Sequence, residues 1–372
     1  MSDQVVAMQR AMLERIAAPG LLETPRIVDA FRSVPRHLFL PSEPLDRVYS
    51  GDAIPTHRGA DGVPTSSSSE PGVMAVMLEQ LKPTPGQHWL EIGAGTGYNA
   101  AIIASLTRPR GEVTTIEIQE DVAREAEEHL HVAGFPEVVV RAGDGWLGAA
   151  DRALFDGVEV TASVDDLSPY WVEQLAPGGV LLVPLRLVHS QLLVCFVKEG
   201  DRLTSRSVRG GGFMPLHGIG ASRAQWPASL VVKRWSLSLP SDADVPVRVL
   251  GSLLESVPRQ GAPAPLSYDT YAQLDLVPDV HPVALLERGD DPQSSQRRPL
   301  LGILDSAGRG LAVSDGTALL AFGARETEER LRALARSTRS VAVQAVPIGL
   351  DVEPGDNLVL DRRHHRFLVR VV

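Results

Sequence analysis

From residue 74 to residue 184, the spacing of apolar and polar residues switches repeatedly between a pattern typical of strands and one typical of helices. Short apolar runs typical of buried strands are separated by stretches in which apolar residues recur every three or four positions, as on one face of a helix. The predicted strands are 88–92, 113–118, 138–141, 155–161 and 180–184, and the predicted helices are 74–81, 98–106, 120–133 and 170–175. Strands alternating with helices at this spacing predict an α/β fold with a doubly wound parallel sheet covered on both faces.

The segment before this region predicts a small helical unit over residues 1–45. Apolar residues over 4–18 have helical spacing, and Thr24 followed by Pro25 is typical of a helix start. Residues 50–72 are rich in Gly, Pro, Ser and Thr and predict a long irregular loop. Because such loops inside compact domains are more often functional than idle, this loop is a candidate site.

The pattern changes near residue 225. Two strands, 192–198 and 206–208, complete the first part; beyond it, apolar runs predict strands at 230–239, 284–286, 318–321, 341–346 and 367–372, with one helix at 326–336 and an exposed loop at 289–299. We interpret 1–224 as one domain and 225–372 as a separate α+β domain.

The strand at 88–92 runs directly into a glycine turn that carries Gly93, Gly95 and Gly97. Glycines let backbone N–H groups approach a ligand, and the following helix presents its positive end there. Glu117 ends the next strand, where a carboxylate accepts hydrogen bonds from two ribose hydroxyls. The glycine turn and Glu117 together predict a nucleoside cofactor, and the GxGxG spacing favours S-adenosylmethionine over NAD. The alternative is a turn that only tightens a strand–helix junction.

The net charge, the cysteine count and the lengths of the apolar runs exclude several classes of protein. The net charge of −10 argues against a nucleic-acid groove, and the basic cluster 362–366 is interpreted as a surface turn. The single cysteine, Cys195, lies in an apolar run and excludes an intrachain disulfide. The chain has no apolar run of membrane-spanning length, no secretory leader pattern and no Cys/His spacing for a metal. We therefore expect a soluble, cytoplasmic protein without metal or membrane.

Several motifs together resemble the protein-L-isoaspartate O-methyltransferase family. They occur in the family's order at 34–41 (Val-Pro-Arg-His-Leu-Phe-Leu-Pro), 90–101, 143–145 (Gly-Asp-Gly), 177–179 and 213–216. The resemblance covers residues 1–220. It implies a Rossmann-like class I methyltransferase sheet and methyl transfer from S-adenosyl-L-methionine to a peptide Asp or isoAsp carboxylate, leaving S-adenosyl-L-homocysteine.

The resemblance also assigns site residues. It implies a catalytic role for Ser69 together with Ser67 and Ser68. The implied cofactor contacts are Glu91, Gly93, Gly95, Gly97, Glu117, Ile118, Asp144 and Gly145, and the implied substrate contacts are Tyr49, Asp52, Ser66 and Glu70. Trp146 either packs on the adenine or fills the core.

The chain departs from the family at the active-site loop. Where the family has Thr-Ile-Ser-x-Pro, residues 67–71 read Ser-Ser-Ser-Glu-Pro. This loop and the C-terminal extension resemble divergent members that modify ribosomally made peptides of the lanthipeptide and graspetide kinds. The favoured hypothesis is therefore a peptide-tailoring enzyme, with strand 230–239 or 367–372 accepting the peptide along an edge. The extension could instead only stabilise or dimerise the enzyme.

The chemistry needs no catalytic base. An Asp carboxylate is ionised at neutral pH, so alignment and desolvation are the enzyme's contribution, and the Ser69 hydroxyl suits that task. The methyl ester then closes to an aspartimide, which hydrolyses to isoaspartate or aspartate. The alternatives are general repair of isoaspartyl residues, a non-catalytic adaptor that keeps the cofactor fold and, more weakly, a small-molecule O-methyltransferase.

Overall fold

The computed structural model describes residues 3–187, 191–222, 228–239, 243–264, 266, 270, 273–287, 300–337, 339–353, 355 and 357–372. The loop expected at 289–299 lies outside these residues. Among the described helices, none is long and apolar enough to cross a membrane.

The N-terminal unit contains the α-helices α1 (Asp3–Ala17), α2 (Pro25–Ser33) and α3 (Leu45–Val48), with a short 3-10 helix over Arg36–Phe39. Helix α2 begins at Pro25, as predicted. The Thr24 hydroxyl, however, does not cap α2: it donates to Glu79 Oε2 at 2.6 Å. This contact ties the helical unit to the next helix of the chain.

The prediction of an irregular loop over residues 50–72 is wrong in part. The structure forms an antiparallel hairpin of β1 (Ile54–Arg58) and β2 (Pro64–Ser68), followed by helix α4 (Pro71–Leu81), which begins at Pro71. The strands were not evident from the sequence because Ser and Thr residues carry the pairing through their backbone groups, without the apolar alternation of a half-buried strand.

The α/β region matches the predicted element order. Its elements are β3 (His88–Ile92), α5 (Tyr98–Thr107), β4 (Glu112–Glu117), α6 (Glu120–Val132), β5 (Val139–Ala142), β6 (Phe155–Val160), α7 (Pro169–Gln174), β7 (Leu175–Arg186), β8 (Gln191–Glu199) and β9 (Arg202–Gly210). Strands β3 to β7 pair in parallel, and β8 and β9 pair antiparallel. Alternate residues of β3 face opposite cores: Trp89 packs with the N-terminal helices and Leu90 with α7.

The described residues between 228 and 337 include a second sheet and α-helices that contact it. Its elements are β10 (Ala228–Val232), β11 (Trp235–Leu239), α8 (Val247–Glu255), β12 (Arg259–Gly261), β13 (Val280–Glu287), β14 (Leu300–Asp305), β15 (Gly310–Ser314), β16 (Leu319–Gly323) and α9 (Arg325–Ala335). The single strand expected at 230–239 is wrong: β10 and β11 form a hairpin that turns at Lys233 with φ +51°. Only Lys233 and Arg234 separate the two strands, and neither is a typical turn residue such as Gly, Asn or Asp.

The last three strands join the first sheet. They are β17 (Val341–Pro347), β18 (Leu358–Asp361) and β19 (His365–Val371), and the ten-stranded order is β18-β19-β17-β9-β8-β7-β6-β3-β4-β5. The division at residue 225 stays a prediction, and the sheets do not follow it. The edge role expected for 367–372 is wrong because β19 is paired on both sides, whereas β10 does lie at the end of its sheet. Cys195 is buried in β8, as predicted.

Candidate functional site

A cavity of about 550 Å³ opens at the carboxyl ends of β3, β4 and β6. Three segments enclose it: the glycine turn after β3, the serine loop (residues 66–70) and the wall segment (residues 212–217). Ligands of doubly wound sheets bind at this end of the strands. The cavity is therefore where the fold alone would place a ligand.

The three glycines of the turn have backbone angles that favour glycine. Their φ values are +100° at Gly93, +53° at Gly95 and +85° at Gly97. A Cβ at Gly93 would lie 2.4 Å from Thr161 Oγ1, and one at Gly95 would lie 3.1 Å from the carbonyl oxygen of Ser67. The serine loop thus lies against the glycine turn. Gly97 does not line the cavity; its packing partner is α6.

Glu117 ends β4 beside the turn, and its carboxylate is buried. One oxygen accepts from the Gly95 N–H at 3.1 Å and the other from the Gln119 N–H at 3.2 Å. Ile118 follows on the cavity wall and is 38% exposed. A carboxylate with free lone pairs beside a backbone cradle suits a ribose diol, so the residues present fit a nucleoside.

Asp144 lies outside the cavity lining, although its neighbour Gly145 belongs to it. The Asp144 carboxylate accepts from the backbone N–H groups of Trp146 at 2.9 Å and Ile219 at 2.7 Å. Of the two interpretations of Trp146, the structure favours the core: the ring is buried and packs edge-on against Trp171, with centroids 5.3 Å apart. Asp144 therefore holds the turn next to the cavity.

All five residues of the serine loop line the cavity. Ser66 and Ser68 are buried, while Ser67, Ser69 and Glu70 are half-buried. The alternating burial follows from β2, because successive side chains of a strand point to opposite faces. Predicted catalytic and substrate residues are thus brought together here.

The structure does not bring Tyr49 or Asp52 into the cavity lining. Tyr49 is buried elsewhere, with its hydroxyl 2.8 Å from His37 Nδ1. Asp52 is exposed and contributes its carbonyl oxygen to Arg36. Their predicted contact with substrate would need a peptide that reaches beyond the cavity.

Arg36 is a site residue that sequence reasoning missed. Its side chain is fully buried behind the serine loop, and its guanidinium donates to the carbonyl oxygens of Val48 at 2.8 Å, Asp52 at 3.0 Å and Ser69 at 3.0 Å. Burial lowers its pKa. The signal was available in the Val-Pro-Arg motif, since an arginine inside an otherwise apolar segment needs several buried acceptors.

A buried pair of carboxyls, Glu91 and Glu159, lies beneath the turn, and of the two the sequence pointed only to Glu91. The Asn99 amide donates to Glu91 at 2.8 Å and to Glu159 at 2.9 Å, and the Thr115 hydroxyl donates to Glu91 at 2.6 Å. Burial raises the pKa of Glu91 to about 7 and that of Glu159 to about 8. Residues 91 and 159 are register partners on β3 and β6, a neighbourhood that the sequence alone does not show.

These shifts predict a pH-dependent stability. In the unfolded chain both carboxyls ionise near pH ~4.3, whereas the folded protein keeps their protons to about pH 7–8. The free energy of unfolding that they contribute therefore falls as pH rises through this window, and then levels off. We expect Glu159→Gln, which is neutral at every pH, to flatten that fall: its melting temperature relative to the unmodified protein should rise between about pH 5 and 8.5.

The exposed Glu128→Gln substitution on α6 provides the matched control, because Glu128 contacts none of these groups and should leave the pH profile unchanged. Parallel profiles for Glu159→Gln and the unmodified protein would show that the pair ionises normally. The measurement is a series of thermal denaturation curves across that pH range.

Known proteins resemble the part of the chain that contains this cavity. The family model described as protein-L-isoaspartate(D-aspartate) O-methyltransferase matches residues 7–219. The protein-L-isoaspartate O-methyltransferase of Methanopyrus kandleri is 37% identical over 220 residues, which are 59% of this chain and 94% of that protein. That of Aeropyrum pernix is 35% identical over 217 residues, covering 58% of this chain and 81% of that protein.

Two solved structures share the fold. One, titled protein-L-isoaspartate O-methyltransferase, has a TM-score of 0.54 and 20% identity and covers 90% of this chain and 96% of its own. The other, a putative protein-L-isoaspartate O-methyltransferase from Plasmodium falciparum in complex with S-adenosyl-L-homocysteine, has a TM-score of 0.50 and 18% identity and covers 56% of this chain and 98% of its own. The first alignment extends the shared fold past the 7–219 region.

Proposed function

Because the chain belongs to the protein-L-isoaspartate O-methyltransferase family, we propose that it methylates an Asp or isoAsp carboxylate of a peptide held at the serine loop. It is a protein carboxyl O-methyltransferase that uses S-adenosyl-L-methionine and leaves S-adenosyl-L-homocysteine. When bound, the cofactor supplies a methyl group activated on a sulfonium. An ionised carboxylate can accept that group without a catalytic base.

The observation that carries this proposal is the meeting of the serine loop and the glycine turn in one cavity. The space for a Cβ at Gly95 is only 3.1 Å from the Ser67 carbonyl oxygen, so donor and acceptor segments are in contact. We assign Gly93, Gly95 and Glu117 to the cofactor, with the Glu117 carboxylate accepting from the ribose hydroxyls. Such contact supplies the proximity on which the rate of a carboxylate reaction depends.

We assign orientation of the acceptor carboxylate to the Ser69 hydroxyl. A hydroxyl that donates to one carboxylate oxygen leaves the other free to react. Ser69→Ala should lower kcat/KM by about tenfold or more, as expected for losing a hydrogen bond to a charged group. Affinity for S-adenosyl-L-homocysteine should stay unchanged, because the hydroxyl acts on the acceptor.

Ser69→Thr, which retains a hydroxyl, serves as the matched variant and should recover part of the rate. Steady-state kinetics and calorimetric titration on the same preparations measure both quantities. Equal kcat/KM for the alanine variant and the unmodified protein would remove Ser69 from the mechanism.

We further propose that the natural acceptor is a normal Asp in a ribosomally made peptide. The backbone nitrogen of the next residue then attacks the methyl ester, which loses methanol and closes to an aspartimide. The serine loop supports this proposal, because serines stand where the family has Thr-Ile and the half-buried Ser67 and Ser69 place polar side chains at the cavity. The C-terminal extension does not discriminate, because a solved chain titled protein-L-isoaspartate O-methyltransferase aligns with 90% of this one. The alternative of general isoaspartyl repair is supported by the curated relatives.

One experiment separates these possibilities. Two short peptides of the same sequence, one with Asp and one with isoAsp, are incubated with the protein and S-adenosyl-L-methionine, and their masses are followed. Rapid methylation of any isoaspartyl peptide supports repair and overturns the tailoring proposal. Methylation confined to an Asp peptide of one sequence supports tailoring. Tight cofactor binding with no transfer to either, nor to any other Asp or isoAsp peptide tried, supports the adaptor hypothesis.

A further inference from the structure

The turn between β18 and β19 lies at the surface, as interpreted from its basic residues, but one of those residues, His365, is buried. His365 is only 5% exposed, and its Nδ1 lies 3.1 Å from the Asp166 carboxylate. The same carboxylate accepts from the His364 backbone N–H at 2.6 Å. Arg362 donates to the carbonyl oxygens of Asp165, at 3.1 Å, and Leu187. We refer to residues 362–365 as the C-terminal turn and to residues 161–166 as the wall loop.

The wall loop lies between the C-terminal turn and the cavity. At one end Thr161 lines the cavity, and its hydroxyl donates to the carbonyl oxygens of Ile92 and Gly93, at 2.9 and 2.8 Å. Its middle pairs with the wall segment: Ser163 N–H donates to Met214 at 2.8 Å, and Leu216 N–H donates to Ser163 at 2.9 Å. The other end is Asp166, held by the C-terminal turn.

The C-terminal turn also contacts Trp146, which lies beside the cavity lining. The His364 and Trp146 rings have centroids 6.0 Å apart, and Trp146 follows the Gly145 that lines the cavity. Behind both contacts, Phe367 and Val369 of β19 share one buried cluster with Ile92 of β3. A displacement of the C-terminal turn would therefore reach the cavity through two separate contacts.

We propose that His365, through its hydrogen bond to Asp166, is a positioning residue for the cofactor side of the cavity. In this proposal the C-terminal strands act on the reaction by fixing the wall loop, beyond any contact they make with a peptide. The proposal rests on the proposed function only in taking S-adenosyl-L-homocysteine as the ligand that reports on the cavity. It also gives a role to residues 341–371, which lie outside the matched 7–219 region.

The test measures the dissociation constant of S-adenosyl-L-homocysteine by calorimetry on full-length variants at a temperature well below melting. His365→Ala should weaken binding by about tenfold, the size of one buried hydrogen bond to a charged group. His365→Asn, whose amide can still donate to Asp166, should recover most of the affinity. In an Asp166→Ala background, His365→Ala should add little, because both substitutions remove the same contact.

Two controls separate positioning from general stability. Arg366→Ala removes an exposed ion pair with Asp361 on the same hairpin and should leave affinity unchanged. Leu311→Ala removes buried side-chain volume from the core of the second sheet, in a cluster separate from the C-terminal turn and the cavity lining, and should lower the melting temperature while binding normally.

The outcomes are distinct. Unmodified protein that fails to bind S-adenosyl-L-homocysteine would count against the proposed function itself. Unmodified protein that binds, with folded His365→Ala binding equally well, would overturn the positioning role. Should His365→Ala fail to fold, His365→Asn and His365→Leu, which fills the space but cannot donate, decide the question: affinity retained by the first and reduced by the second is the expected result, and equal affinity in both contradicts it.

Discussion

Replacing Arg36 by methionine is expected to lower the melting temperature by about 5–10 °C and to abolish methyl transfer. Methionine fills similar space, but it leaves the carbonyl oxygens of Val48, Asp52 and Ser69 without their donor. An unsatisfied buried acceptor costs about 1–3 kcal/mol, so several outweigh the relief from no longer burying a charge. A net loss of about 3 kcal/mol corresponds to that shift in melting temperature.

Arg36→Lys tests the geometry, because lysine keeps the charge but cannot form a fork of donors. Its stability should lie between those of the methionine variant and the unmodified protein. Arg32→Met removes an exposed arginine of α2 that pairs with Asp29, and should change melting by less than about 2 °C. An Arg36→Met protein with normal melting and normal transfer would refute the anchoring role.

Replacing Glu117 by alanine is expected to weaken S-adenosyl-L-homocysteine binding by about 1–3 kcal/mol, which is about 5- to 150-fold. The substitution removes the proposed acceptors for the ribose hydroxyls. It also removes the carboxylate that accepts from Gly95 N–H, so the glycine turn loses its tie to β4. Isothermal titration calorimetry measures the change directly.

Glu117→Gln keeps one acceptor oxygen, and its affinity for S-adenosyl-L-homocysteine should lie between those of Glu117→Ala and the unmodified protein. Glu120→Ala, an exposed acidic residue at the start of α6, controls for lost charge near the site. If Glu117→Ala retains full affinity, the cofactor does not lie at the end of β4.

The α/β elements were predictable because their signals are local. Buried parallel strands such as β3 and β4 are short segments rich in apolar or β-branched residues, and α6 shows the period of an amphipathic helix, so both kinds of element could be recognised without knowing their neighbours. The β1–β2 hairpin lacked that signal. Helix α8 was also missed, because it is short and carries Gly251 in its middle, which weakens a helical pattern.

The partition of the C-terminal half could not be predicted. Whether β17 pairs with β9 or with the second sheet depends on long-range pairing between residues such as Gln344 and Thr204. One consequence is practical: deleting residues 225–372, the direct test of a separate recognition domain, would also remove three strands of the sheet that forms the cavity. Point substitutions are therefore the sharper test.

The residues of the candidate site also fall into two groups, those that could be predicted from the sequence and those that could not. The glycine turn, Glu117 and the serine loop are short segments whose chemistry can be read from adjacent residues. Arg36, Asn99 and Glu159 matter through partners on other elements: Asn99 joins Glu91 to Glu159 across α5, β3 and β6. Single-sequence reasoning has no access to such pairings.

The most direct test of the account is the mass of an acceptor peptide after incubation with the protein and S-adenosyl-L-methionine. We predict that an Asp- or isoAsp-containing peptide gains one methyl group as a base-labile ester, with one S-adenosyl-L-homocysteine formed per ester. The gain should be strongly reduced with Glu117→Ala and with Ser69→Ala. Tight cofactor binding without an ester on any Asp or isoAsp peptide, or ester formation that is indifferent to both substitutions, would contradict the account.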